Sequence, residues 1–234
     1  MRKTAILGGI GYLIIFITGI FANFYVLEDL KMAGDPSATY QNLSSHVPLV
    51  MAAVLAFIFM VVFDIVLTWV LYVLFKNVDA RLSKITALFR LINALIFGAA
   101  LIQLVHMLEL ITTNNVVNSL LVKEVSNSLN NFNNVWLIGL VFFGIHLILL
   151  SILLKKSRQI YPAIPSLLFI AGVGYIVDTI LQFTYPGYAN LADISALIVV
   201  LPGLIGELSL TAWLLFKAEK TRKGRCELKY GLQL

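Results

Sequence analysis

Charged residues are scarce in this chain. Asp, Glu, Lys and Arg make up 12% of its 234 residues, while 60% are hydrophobic. A soluble globular protein carries about 25% charge and about 45–50% apolar residues. Too little polar surface is available here to cover the apolar side chains in water, so lipid must be part of the solvent. Cysteine is nearly missing too. The lone Cys226, in the polar tail, excludes an internal disulfide and a cysteine-based metal site. Also missing are the glycine-rich phosphate loop, the nucleophile elbow and the paired-histidine zinc helix. Serines and threonines are scattered without an obvious base beside them. The net charge of +5 is no nucleic-acid signal. The basic residues form short clusters at the ends of apolar segments, as the positive-inside rule expects, so lipid and not nucleic acid is the expected partner.

What the chain does have is long apolar runs. The most informative is 134–158, NVWLIGLVFFGIHLILLSILLKKSR. It is apolar for about twenty residues, enough to cross a hydrocarbon core of about 30 Å. It holds one polar side chain deep inside, His146, and ends in Lys155, Lys156 and Arg158. Five further spans are expected: residues 4–27, 46–75, 85–112, a fifth running to about 185, and 192–216. Gly8, Gly9 and Gly11 in the first suit a close approach of another backbone. Asp35-Pro36 reads as an N-cap followed by a proline at the first helical position, so a short helix begins there. In 113–133 the residues Val117, Leu120, Leu121, Val125, Leu129 and Phe132 recur at helical spacing. They predict an amphipathic helix lying on the outer membrane surface. Pro202-Gly203 should kink or loosen the last span. The expected fold is thus all-α, a six-transmembrane-helix bundle. It forms one membrane domain over 1–217, with a basic tail over 218–234.

Six spans put both termini on one side. With that side cytoplasmic, fourteen of the seventeen Lys and Arg residues lie inside, Lys31 and Lys123 lie outside, and Arg90 is within a span.

Several stretches together carry a family resemblance: GDPSATYQNL, LYVLFKNVDARLSKITALFRL, GLVFFGIHLILLSILLKKS, AGVGYIVDTI and PGLIGELSLTAWLLFK. In this order they resemble a bacterial membrane-protein family described as domain of unknown function 4386. The resemblance runs from the first helix to the end of the sixth. It implies a six-helix protein of the bacterial inner membrane and no particular reaction, ligand or partner. The family pattern has a glycine where this chain has Ser151.

Ionisable groups inside a membrane are costly and are functional candidates by default. At a rise of 1.5 Å per residue from the cytoplasmic helix ends, Arg90 lies about 9 Å in, His146 about 12 Å, Glu207 about 14 Å and Asp64 about 16 Å. Four helices therefore place polar groups in one slab of the inner half. Asp178, about 22 Å in, and Tyr175 are second-tier members. If Asp64 and Glu207 are both ionised against the one permanent cation Arg90, His146 must be protonated or a cation must be bound. Otherwise one carboxyl holds a proton. Such a group suits the binding or transfer of a small solute or proton, with the Pro202-Gly203 helix as the mobile element. The alternatives are an intramembrane enzyme acting on a lipid, with Glu207 or Asp64 as base and His146 as its partner, and a non-catalytic polar core. No cofactor is strongly indicated. His106 and Glu109, three apart on one helix face, with His46 and a carboxylate such as Asp193, form a weak metal-ligand set near the outer surface. A haem between His106 and His146 is disfavoured, because their depths differ by about 18–20 Å.

Overall fold

The structure, a computed structural model, describes residues 2–113 and 117–230. The side chains at 189, 193, 196 and 217–230 fall outside that description, and with them Asp193 and Cys226. Every regular element among the described residues is helical. The order is α1 Arg2–Ile20, a π-helical continuation Phe21–Glu28, α2 Pro36–Ser45, α3 Val47–Phe75, α4 Ala80–Thr113, α5 Ser119–Ser157, α6 Ala163–Thr184, a short 3-10 turn Tyr188–Asn190, and α7 Ala192–Tyr230. Six helices are long and apolar enough to cross a membrane: Arg2–Glu28, Val47–Phe75, Ala80–Thr113, Ser119–Ser157, Ala163–Thr184 and Leu197–Phe216. The expected all-α, six-span architecture is present, and the chain is a multi-pass membrane protein.

Boundaries differ from expectation where a cap was overlooked. α4 starts inside the basic link, because the Asp79 carboxylate accepts the Leu82 N–H at 2.9 Å and so satisfies a free donor of the first turn. α5 starts at Ser119 because the Asn118 side chain accepts the Leu121 N–H at 2.8 Å. From there it runs unbroken for 39 residues. The segment expected as a separate surface helix is therefore the first third of the fourth span. Composition changes near residue 133, from Asn-rich to apolar, but periodicity does not: Leu121, Val125, Leu129, Phe132 and Leu137 are buried in one stripe, while Val117 and Leu120 are exposed. Asp35 caps α2 as expected, accepting the Ala38 N–H at 2.9 Å. Gly34, at φ 78°, supplies the left-handed turn before it.

The chain divides into two compact units. The first comprises Met1–Leu13, Ile65–Leu91 and Leu140–Leu234, the second Ile14–Asp64 and Ile92–Gly139.

In the first unit, missing side chains let helices touch. A Cβ on Gly9 would stand 2.5 Å from the Leu215 side chain, and one on Gly144 only 2.6 Å from the Gly172 carbonyl. Gly8 packs in the same way against Val70 and Leu214. At one helix end Lys156 Nζ meets Asp79 Oδ2 at 2.7 Å, and the Trp213 indole N–H donates to the Gln159 carbonyl at 3.2 Å.

The second unit has an aromatic centre. Phe97 and Trp136 stack with centroids 3.7 Å apart, and Phe57 meets Trp136 edge-on at 5.2 Å. α2 is strapped to the loop before it. The Thr39 hydroxyl accepts the Met32 N–H at 3.0 Å, and Asn42 donates to the Leu30 carbonyl at 3.2 Å.

Candidate functional site

The polar centre of the first unit is built on Arg90, 1% exposed, and His146, fully buried. α4 carries the arginine and α5 the histidine. The His146 ring bridges them: Nδ1 lies 2.9 Å from the Thr86 carbonyl, one turn before Arg90, and Nε2 lies 3.2 Å from Arg90 Nη1. These two contacts assign the tautomer. A carbonyl only accepts, so Nδ1 carries the hydrogen. A guanidinium only donates, so Nε2 presents its lone pair. His146 therefore stands as neutral imidazole, and the option of a protonated His146 supplying a second positive charge is removed.

Arg90 Nη1 also lies 3.3 Å from the Tyr12 hydroxyl of α1. The guanidinium carbon stands 5.1 Å from the Tyr12 ring centroid and 5.8 Å from that of Phe143. Electron-rich ring faces help carry a charge that has left water. Two members were not foreseen. Tyr12 gives no depth-independent signal in an apolar run, and the Thr86 ligand is a backbone carbonyl, which no side-chain pattern marks.

Tyr175 joins this group through Phe143, edge-on at 5.5 Å. Its hydroxyl lies 3.3 Å from where a Cβ on Gly203 would stand, so that glycine makes room for it against α7. Glu207, half-buried, follows one turn later on α7. Asp178 is engaged elsewhere. Its carboxylate accepts from Tyr188 Oη at 2.7 Å, from Gln182 Nε2 at 2.8 Å and from the Ser195 hydroxyl. It thereby clamps the α6–α7 turn. The Tyr188 phenol is pushed up to about 12 by burial and then by that Asp178 bond, so it remains a donor at neutral pH.

Asp64 is buried, 3% exposed, on α3 in the second unit. Of the outward set, the Asp193 side chain lies outside the described residues. Among the described residues no three His, Cys, Asp or Glu side chains are grouped to hold an ion. His46 Nδ1 is spent on the Asn42 carbonyl at 2.8 Å, closing the end of α2, and His106 and Glu109 are exposed. Both ring nitrogens of His146 are engaged, which leaves none for a haem iron.

The family model described as Domain of unknown function (DUF4386) matches residues 7–218. The chain belongs to this family. A protein of Archaeoglobus fulgidus described as "Uncharacterized protein" is 29% identical over 160 residues, 68% of this chain and 80% of the relative. No solved structure matches this DUF4386 chain.

Proposed function

We propose that this DUF4386 protein binds or transfers a small polar solute or a proton at the buried polar group of its first unit. One observation carries the reading: a permanently charged guanidinium, 1% exposed within a span, hydrogen-bonded to a neutral imidazole. A charge placed there is costly, and well-packed apolar residues often stabilise such a position as well or better. Its presence favours a use beyond packing. Arg90 is the fixed positive charge, and His146 Nε2 is the basic atom that a shift of Arg90 would uncover. The Tyr12 and Tyr175 hydroxyls are neutral polar contacts, and the Glu207 carboxyl is the group able to change its proton. The location proposed with it is a bacterial cytoplasmic membrane, with both termini cytoplasmic.

The test is the full chain in liposomes loaded with a pH-sensitive dye and given an external pH step. Faster collapse of the gradient than in protein-free vesicles, lost in Glu207→Gln, supports proton transfer. Asp64→Asn tests the α3 carboxyl separately. A melting-temperature rise with phosphate, acetate or glycine, lost in Arg90→Met, supports solute binding. Vesicles indifferent to the protein, with no shift from any of these solutes, overturn the reading. Altered lipid composition in membranes that overexpress the chain would replace it with an intramembrane enzyme.

A further inference from the structure

The last turn of α5 carries two adjacent lysines in different situations. Lys156 Nζ is paired with the Asp79 carboxylate at 2.7 Å. Among the described residues no carboxylate pairs with Lys155. Helix side chains lean toward the N-terminus of their own helix, so Lys155 leans back along the span and not out past its end. Its Nζ stands 5.9 Å from the centre of the Phe169 ring on α6. A ring face attracts an ammonium but does not neutralise it. Both residues are exposed.

Arg158 closes α5 just beyond. Its N–H donates to the Lys155 carbonyl at 3.3 Å, and its backbone is left-handed at φ 51°. Glycine is the default residue for that conformation, where a Cβ is crowded. An arginine in glycine's place keeps a second exposed cation beside Lys155 at a conformational cost. It too has no carboxylate partner among the described residues.

Below the cations lies an apolar track. Phe169, Val173, Val177 and Ile180 of α6 are all exposed. They recur at i, i+4, i+8 and i+11, so they form one stripe about 16 Å long. All of these residues belong to the first unit. Two cations without protein counter-charges at the head of such a stripe fit an anionic head with a hydrocarbon chain. A head that also carries an ammonium would bring a third positive charge to the same place, so a lipid of net negative charge is favoured.

We propose that the α5–α6 turn is a binding site for an anionic phospholipid of the surrounding bilayer. Its phosphate lies against Lys155 and Arg158, and one acyl chain follows the stripe from Phe169 to Ile180.

The test is native mass spectrometry of the full chain in detergent, titrated with phosphatidylglycerol and with phosphatidylcholine of the same chains. Phosphatidylglycerol should bind in preference, and K155Q should weaken that preference about fivefold. R158G should weaken it similarly while melting at or above the parent temperature, since glycine suits the left-handed turn. K155R should keep the preference. So should K84Q, which removes another exposed cation from the same end of the molecule. An equal affinity for both lipids overturns the proposal, as does an unchanged preference in either K155Q or R158G. A loss in K84Q as large as in K155Q would assign the effect to the basic end as a whole, and an equal loss in K155R would assign it to packing; each overturns the site. Release of the lipid by inorganic phosphate at equal concentration would mark a free-anion site and overturn it too. Where R158G does not fold, K155Q against K155R decides.

Discussion

Arg90 and His146 explain each other at the scale of single residues. The arginine needs a partner that accepts, and an imidazole pinned to the Thr86 carbonyl can only accept at its other nitrogen. Hydrogen bonds to a charged group contribute about 1.5–3 kcal/mol each, and a buried partner left alone costs a similar amount. Arg90→Met and His146→Leu should therefore each destabilise the protein by about that much, and the double variant by clearly less than the sum. Denaturant or thermal melts of the four proteins measure this. Strict additivity would mean that the two side chains do not act as a pair. Depth was legible beforehand for both residues, since the rise per residue converts sequence position into ångströms. Direction was not. Rotation about each helix axis decides which groups meet, and it brought Tyr12 to Arg90 and the Thr86 carbonyl to His146 while tying Asp178 into the α6–α7 turn. Asn93 lay in the apolar α4 run from the start. Its buried amide has no hydrogen-bond partner among the described residues, a property of its neighbours that no pattern in α4 records.

Among the helices, apolar run length located the spans well and the caps less well. The starts of α4 and α5 each depend on a single side chain, Asp79 or Asn118, accepting one N–H. Asp79 does two jobs, since its other oxygen pairs with Lys156. That pairing, followed by the Leu82 N–H bond, holds the carboxyl below its ordinary value of 3.8. A carboxyl depressed in the folded state contributes stability above its unfolded value and loses it as pH falls through the folded one. Asp79→Asn retains a competent cap and removes only the charge. The melting difference between parent and D79N should therefore be constant near neutral pH and fade below about pH 3.8. It should also shrink in high salt, because the pair is exposed. A difference that persists at low pH would assign the effect to capping instead.

Over the whole molecule, the distribution of positive charge is the strongest guide. Fourteen of seventeen Lys and Arg residues fall on the side expected to be cytoplasmic, and in short loops this bias sets orientation. A C-terminal green fluorescent protein fusion should fluoresce in cells, and a C-terminal alkaline phosphatase fusion should be inactive. The reverse pair of results would invert the topology and move the Arg90–His146 group to the outer half of the bilayer. All-α architecture and span number were legible because lipid forces backbone bonds to close within each segment. The partition of side chains into two units was not, since α1, α3, α4 and α5 each contribute to both.

The π-helical stretch Phe21–Glu28 has a consequence for how the first span tolerates change. A π turn holds more residues than an α turn for the same hydrogen-bonded advance, so it stores slack in the chain. Removing one residue there, for example Asn23, can be absorbed by rewinding to α, leaving the residues on either side in register. Removing one between Gly11 and Thr18 has no such reserve and turns everything beyond it by about 100°. Deletion of Asn23 should thus leave a membrane-inserted, folded protein. Deletion of Ile15 should not, and size-exclusion profiles of the two variants in detergent would show the contrast.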